Sequence, residues 1–130
     1  MTKPTTTLAR VARTPRPPYY AVTTTTEFRP EHDQREYVRL GTELYREAEA
    51  IGGFLGLEGF FDGNASVAIS YWESFEAIER WRRHSLHGKA KGLAKASWFG
   101  PTITRIARVE RDYGFNLDAP AIAPQVKSGV

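Results

Sequence analysis

One stretch, over residues 68–88, constrains the fold of this chain more than any other; it reads AISYWESFEAIERWRRHSLHG. Its first residues favour an apolar strand that ends at Trp72. Ser74 can cap a helix that begins at once, and Ile78 and Trp81 fall on one face of that helix. A strand that passes directly into an amphipathic helix predicts a helix packed on a sheet.

The same helix is predicted to run on through His84 and His87, two of the three histidines in the chain. At 100° per residue, His84 lies at the edge of the apolar face, and His87 points nearly opposite unless the helix bends near Gly88. Histidine changes charge near neutral pH, so both residues are candidate bases or ligands.

Periodicity predicts the rest of the fold. Runs rich in β-branched and aromatic residues predict four strands, over 19–28, 54–62, 66–72 and 102–112. Apolar residues at spacings of three and four predict helices over 33–51 and from Ser74 onward, and a further helical piece over 89–98. The order β-α-β-β-α-β is the ferredoxin-like arrangement, an α+β fold with an antiparallel sheet.

The strand over 66–72 is apolar throughout, which predicts that both of its faces are covered. Helices cover one face, and we expect a second copy of the chain to cover the other, giving a homodimer with two sheets face to face. An N-terminal arm over 1–18 and a tail over 116–130 are expected to flank the domain over 19–115.

Composition narrows the function. There is no cysteine, which excludes disulfides and thiolate chemistry and predicts a cytoplasmic protein. The net charge is +3, but the basic residues are scattered or balanced by acids, so no nucleic-acid surface is expected. No apolar run is long enough for a membrane span, and no metal site is evident.

The first strand contains four consecutive threonines. Thr23 and Thr25 point to one face, and Thr24 and Thr26 point to the other. One of these faces carries hydroxyl groups into an interior or a pocket; the alternative is that threonine is there for its β-propensity on a half-exposed strand.

The run ISYWESFEAIERWRRHSLHGKA, with GFLGLE upstream and RVERDY downstream, resembles the antibiotic biosynthesis monooxygenase (ABM) domain family of dimeric α/β barrels. The resemblance covers roughly residues 19–115. It implies a ferredoxin-like dimer that encloses a site for a small molecule. The family contains cofactor-free oxygenases, haem-degrading enzymes and isomerases, so the resemblance implies a fold more sharply than a reaction.

Two matched positions bear on the reaction. Trp72 matches a strand-ending Trp of members that oxidise aromatic polyketides, whereas the Asn those members carry four residues earlier is Ala68 here. Trp81 matches a helix Trp of haem-degrading members, whose iron-ligating His ten residues later is Lys91 here.

Three functional hypotheses follow. The first is a monooxygenase-type enzyme that acts without a cofactor on a small aromatic or polyketide-like molecule, with His84, Trp72 and Tyr71 as catalytic residues. In that hypothesis, the residues that contact the substrate are Trp81, Thr23, Thr25, His87 and Trp98. The second is a haem-binding or haem-degrading protein with His84 or His87 as iron ligand. The third is a dimeric binding protein without catalysis.

Overall fold

The computed structural model describes residues 11–31, 33–84 and 99–120, apart from the side chain of Gln34. Its elements are β1 (Tyr19–Phe28), α1 (Gln34–Ile51), β2 (Phe54–Phe61), β3 (Ala65–Trp72), α2 (Phe75–Arg82) and β4 (Phe99–Val109). The strands form an antiparallel sheet in the order β2-β3-β1-β4. This is the ferredoxin-like βαββαβ fold, so the predicted fold class is confirmed for the single chain.

The sheet has two faces with different cover. The face that α1 and α2 cover is called the helix face; from β1 it presents Tyr20, Val22, Thr24 and Thr26, together with their cross-strand partners. The opposite face, called the open face, presents Ala21, Thr23 and Thr25 with their own partners. Residues alternate between the faces because successive side chains of a strand point to opposite sides.

The ends of α1 are set by residues that suit those positions. The Asp33 carboxylate caps the first turn by accepting a hydrogen bond of 3.0 Å from the Glu36 amide. Gly52 and Gly53 end the helix with φ values of 96° and 85°, which side chains rarely adopt. A Cβ at Gly53 would lie 2.5 Å from the Cβ of Ala77, so glycine also lets β2 start close against α2.

The hydrophobic core lies on the helix face beneath α2. Trp72 has no exposed surface, and its ring packs at 5.0 Å from Trp81 and at 5.3 Å from Phe54. The other members of the buried cluster are Val22, Ala48, Ala77 and Ile78. Full burial of one such large side chain stabilises the fold by about 1.5–3 kcal/mol, so these aromatic residues anchor α2 to the sheet.

Two predicted boundaries are corrected. The helix predicted to run through both histidines ends at Arg82, and the His84 amide donates to the Trp81 carbonyl in a closing turn. Among the described residues of α2, Trp81 is the last apolar residue that packs on the sheet. The fourth strand begins at Phe99, before the predicted start at 102, and includes Pro101. Proline is tolerated there because β4 is an edge strand.

Residues 11–18, the described part of the predicted arm, have no regular secondary structure and contact the domain. The Ala12 amide donates to Glu58 of β2 at 2.9 Å. The Arg13 guanidinium donates to the Ala119 carbonyl at 3.3 Å. The two segments that flank the sheet therefore meet each other and the open face.

Candidate functional site

A cavity of about 280 Å³ lies between α1 and the helix face of the sheet. Its floor includes one row of small residues paired across β3, β1 and β4: Ala68, Thr24 and Thr104. Gly59 of β2 pairs with Ala68 at the end of this row. Gly41 of α1 also lines the cavity, and a Cβ added there would meet no atom within 4 Å. Small residues in both layers keep the helix and sheet from filling the space between them.

Aromatic rings form much of the wall. Tyr37 lies edge-on to Phe28 with ring centroids 4.9 Å apart, and it contacts Phe61 and Phe99 at 6.0 and 6.2 Å. Two turns further along α1, Tyr45 packs on Trp81 at 5.3 Å. The cavity therefore has rings fixed by other rings near both of its ends, a suitable surface for a flat apolar ligand.

Hydroxyl groups supply the polar part of the lining. Tyr37 and Ser66 share a hydrogen bond of 3.0 Å, and Thr102 donates to Thr26 at 3.3 Å. Thr24 and Thr104 form a third pair at 3.0 Å. Burial raises the pKa of Tyr37 above its ordinary value, although the hydrogen bond with Ser66 acts in the opposite direction. The phenol therefore stays protonated at neutral pH and can act as a donor.

Arg82 is the charged residue of the cavity lining among the described residues, which contribute no carboxylate and no histidine to it. Its side chain is 59% exposed and lies 3.5 Å from a carboxylate oxygen of Glu79. The lining that the structure describes is thus apolar and hydroxylic, with one cation at its margin.

The structure separates the predicted catalytic residues Tyr71 and Trp72. Trp72 lies on the helix face but is sealed in the core behind the cavity, and its indole N–H donates to Ser70 at 2.9 Å. Tyr71 lies on the open face, where its hydroxyl donates to Glu58 at 2.7 Å. Neither side chain lines the cavity.

His84 lies away from both. Its Nδ1 is 3.4 Å from a carboxylate oxygen of Glu47 on α1, and its side chain is one-third exposed. It follows Arg82 by two residues but is not among the residues that line the cavity. The three predicted catalytic side chains therefore do not share one cavity, and their roles remain predictions.

Of the predicted substrate contacts, Trp81 lines the cavity. Thr23 and Thr25 lie on the open face, while Thr24 and Thr26 line the cavity. Threonine hydroxyl groups of β1 therefore do reach a pocket, but they belong to Thr24 and Thr26 and not to the predicted Thr23 and Thr25. His87 and Trp98, with the helical piece predicted over 89–98, lie outside the described residues.

Sequence reasoning missed Tyr37, Gly41 and Ser66. Tyr37 and Gly41 lie within the apolar periodicity that predicts α1, and Ser66 is the first residue of the strand predicted over 66–72. Glycine in the middle of an amphipathic stripe is the signal that was available, because it leaves room where a larger residue would pack.

The open face carries a polar network of its own. The Tyr19 hydroxyl accepts from Thr14 at 3.0 Å and donates to Asp112 at 2.5 Å. The Tyr19 ring also stands edge-on to Tyr71 at 5.8 Å. Burial and the hydrogen bond to Glu58 raise the pKa of Tyr71 well above its ordinary value. This network ties the residues before β1 and after β4 to the sheet.

The described residues do not fit a haem in this cavity. A haem iron requires an axial ligand aimed into the pocket, and His84 is not among the residues that line it. His87, the other predicted ligand, lies outside the described residues. Across residues 11–31, 33–84 and 99–120 there is no group of three or more His, Asp or Glu side chains suited to a metal ion. Neither described helix has the length and apolar character needed to cross a membrane.

Comparison with known proteins gives the relationships of the chain. No family model matches it. The Bacillus subtilis (strain 168) protein YqjZ is 33% identical to it over 102 residues, which are 78% of this chain and 88% of that protein. This identity and coverage establish common family membership.

Solved structures share the fold at low identity. A variant of SnoaB, a cofactor-independent oxygenase from Streptomyces nogalater, superposes with a TM-score of 0.64 at 11% identity, over 74% of this chain and 97% of its own. An antibiotic biosynthesis monooxygenase superposes with a TM-score of 0.61 at 16% identity, over 71% of this chain and 99% of its own. A conserved protein from Methanosarcina mazei Go1 superposes with a TM-score of 0.62 at 15% identity, over 70% of this chain and 92% of its own. The chain therefore belongs to the family of Bacillus subtilis YqjZ, and its fold is that of the antibiotic biosynthesis monooxygenase proteins.

Proposed function

We propose that this protein is a monooxygenase-type enzyme that works without a bound cofactor on a small aromatic or polyketide-like molecule. The observation that carries the proposal is the cavity under α1, with its aromatic walls and paired hydroxyl groups. A protein of the same fold, SnoaB, is a cofactor-independent oxygenase. The same cavity would also serve a protein that only binds such a molecule, and the experiment below separates the two.

The proposed reaction draws its electrons from the substrate. A methylene group conjugated with a ring carbonyl, as in anthrone, loses a proton, and the resulting carbanion reduces molecular oxygen. One oxygen atom ends in a new carbonyl group and the other in water, so that CH2 plus O2 gives C=O plus H2O. The protein has to bind the ring, exclude water and stabilise the oxygen on which negative charge develops, which hydroxyl donors in a dry cavity do well.

We keep His84 as the proposed base, acting through Nε2 on a substrate that extends past Arg82 to the margin of the cavity. Its neighbour Glu47 would orient the ring and stabilise the imidazolium form. Trp72 is a positioning residue in this scheme, because its ring packs behind the ring of Trp81, with the two centroids 5.0 Å apart. A role for Tyr71 would require a site on the open face.

We also propose that the open face meets the same face of a second copy. The face exposes large apolar side chains, with Phe60 at 67% and Ile103 at 47%. An antiparallel sheet buries such a face against a helix layer or another sheet, and a face that meets itself about a two-fold axis closes into a dimer. The cytoplasmic location remains a prediction from composition.

An oxygen electrode tests the activity, with anthrone as the substrate. We expect the purified chain to take up one O2 per anthrone. Ala68→Leu, which fills the cavity floor, should abolish uptake, while Ala107→Leu on the open face should retain it. His84→Ala should bind anthrone but turn it over much more slowly. If anthrone binds without oxygen uptake, the protein is a binding protein and not an enzyme that oxidises such molecules.

A further inference from the structure

The cavity is polar at one end and apolar at the other. Four side chains with hydroxyl groups, called here the hydroxyl end, gather where α1 begins: Thr26, Ser66, Thr102 and Tyr37. The first three form one cross-strand row. Val22 and Ile106 form another row on the helix face, four residues along β1 from the row of Thr26. At a strand rise of 3.2–3.4 Å per residue, the two rows are about 13 Å apart. The side chains near the row of Val22 are Leu57, Ile78 and Trp81.

The hydroxyl end is built into the fold. Thr26 is 1% exposed and Ser66 is 4% exposed, and three phenylalanine rings hold the Tyr37 ring. In each hydroxyl pair, Tyr37 with Ser66 and Thr102 with Thr26, one hydrogen is used within the pair. The second hydrogen of each pair remains to be donated. Two donors therefore converge at this end of the cavity, and the third hydroxyl pair, Thr24 with Thr104, lies one row away from them.

Among residues 11–31, 33–84 and 99–120, no cation lines the cavity at this end to balance an anion. Arg82, the cation of the described lining, follows Trp81, which packs on Tyr45. Tyr45 lies roughly 12 Å along the axis of α1 from Tyr37 at 1.5 Å per residue. A carboxylate placed at the hydroxyl end would lose its hydration without gaining a counter-ion, which is strongly unfavourable. An uncharged oxygen loses far less.

The size of the cavity limits the ligand. A dry protein cavity of about 150 Å³ holds benzene, and this cavity is about 280 Å³. The space holds about two fused rings, so the third ring of a molecule such as anthrone would extend past Arg82 at the margin of the cavity. Gly41 and the small residues of the floor lie in the middle, where the rings would pass between α1 and the sheet.

We infer that the hydroxyl end is the specificity element of the site. It selects an uncharged fused-ring molecule that bears a hydroxyl or carbonyl oxygen, and it orients this oxygen toward Tyr37 with the rings toward Trp81. The inference rests on the proposed function for the location of the site, but it concerns recognition and not turnover.

Equilibrium dialysis of the full chain tests the inference with three probes of one skeleton: 2-naphthol, naphthalene and 2-naphthoate. One net hydrogen bond is worth about fivefold in affinity. We expect 2-naphthol to bind at least fivefold more tightly than naphthalene, and 2-naphthoate to bind more weakly than either. Tyr37→Phe should remove most of the preference for 2-naphthol while leaving naphthalene affinity unchanged.

Tyr45→Phe is the matched control, because it removes a phenol from the same helix but from the other end of the cavity. It should leave the ratio of the two affinities unchanged. Thr26→Val provides a second variant if Tyr37→Phe does not fold. Equal affinity for 2-naphthol and naphthalene, or tightest binding of 2-naphthoate, would overturn the inference and leave the oxygen-uptake test standing. Absence of binding by all three probes would overturn the inference and the proposed site together.

Discussion

The helix face and the open face are made by the same four strands, yet they are completed in different ways. On the helix face, Trp72 and Trp81 seal one part, and a row of small residues leaves a cavity beside it. On the open face, chain segments outside the sheet are tied to Glu58 and Tyr19, and large apolar side chains remain exposed. Strand alternation thus lets one sheet carry a candidate ligand site on one side and a candidate interface on the other.

The difference teaches how to interpret neighbouring residues of one strand. Tyr71 and Trp72 are adjacent in sequence, but Tyr71 donates to a carboxylate on the open face and Trp72 donates to a serine inside the core. Substitutions at paired positions on the two faces should therefore have separable effects on stability, association and binding.

The largest expected effect is on stability. Trp72→Ala should lower the free energy of unfolding by about 3–5 kcal/mol, because it removes a fully buried ring and leaves a cavity. Phe60→Ala, at a side chain that is 67% exposed in the single chain, should cost less than about 1 kcal/mol at protein concentrations where the chain is monomeric. Urea unfolding at such a concentration measures both variants. Similar losses for the two variants would mean that the two faces are equally buried within the single chain.

Substitutions at two isoleucines of β4 should affect dimer formation and ligand binding separately. Ile103 on the open face and Ile106 on the helix face are 47% and 41% exposed, so they are a matched pair. Ile103→Lys should halve the mass measured by light scattering and keep 2-naphthol binding. Ile106→Lys should keep the dimer mass and lose 2-naphthol binding, because a charge would enter the cavity lining. A wild-type chain that is monomeric, or a dimer in both variants, would refute the interface.

A smaller effect is expected at alkaline pH. Burial raises the pKa of Tyr45 on the helix face, and burial with the Glu58 contact raises that of Tyr71 on the open face. Their phenols ionise near pH 10 in the unfolded chain and at higher pH in the folded one. Unfolding free energy should therefore be fully maintained below about pH 10 and fall above it.

Phenylalanine variants sharpen the alkaline comparison. Tyr45→Phe and Tyr71→Phe should each make the fall in unfolding free energy with pH shallower. The two changes should be similar in size, because the pKa values of the two phenols are raised to a similar extent. Urea unfolding between pH 8 and 11 measures the slopes. If both variants have the same slope as the wild type, folding does not raise the pKa of either phenol.

Much of the fold could be predicted because its signals are local. Asp33 caps α1, Gly52 and Gly53 end it, and the Asp62 carboxylate accepts from the Asn64 amide at 2.7 Å in the hairpin turn. Each of these residues acts within a few positions of itself. The element order then leaves few topologies, of which the ferredoxin-like one is observed.

The site was less predictable because it depends on register and packing across the sheet. Alternation in β1 predicted two threonine faces, but which face meets the cavity depends on how β1 pairs with β3 and β4. The grouping of Tyr71 with Trp72 conflicted with that same alternation. Ser66 joins the site only because its row brings it beside Thr26 and beneath Tyr37.

The central claim is that the ligand binds on the helix face, and the four threonines of β1 report on it directly. With methyl-labelled threonine, 2-naphthol titrated into the full chain should shift the NMR signals of Thr24 and Thr26. The signals of Thr23 and Thr25, on the open face, should stay in place. Shifts confined to Thr23 and Thr25 would contradict the account and move the ligand site to the open face.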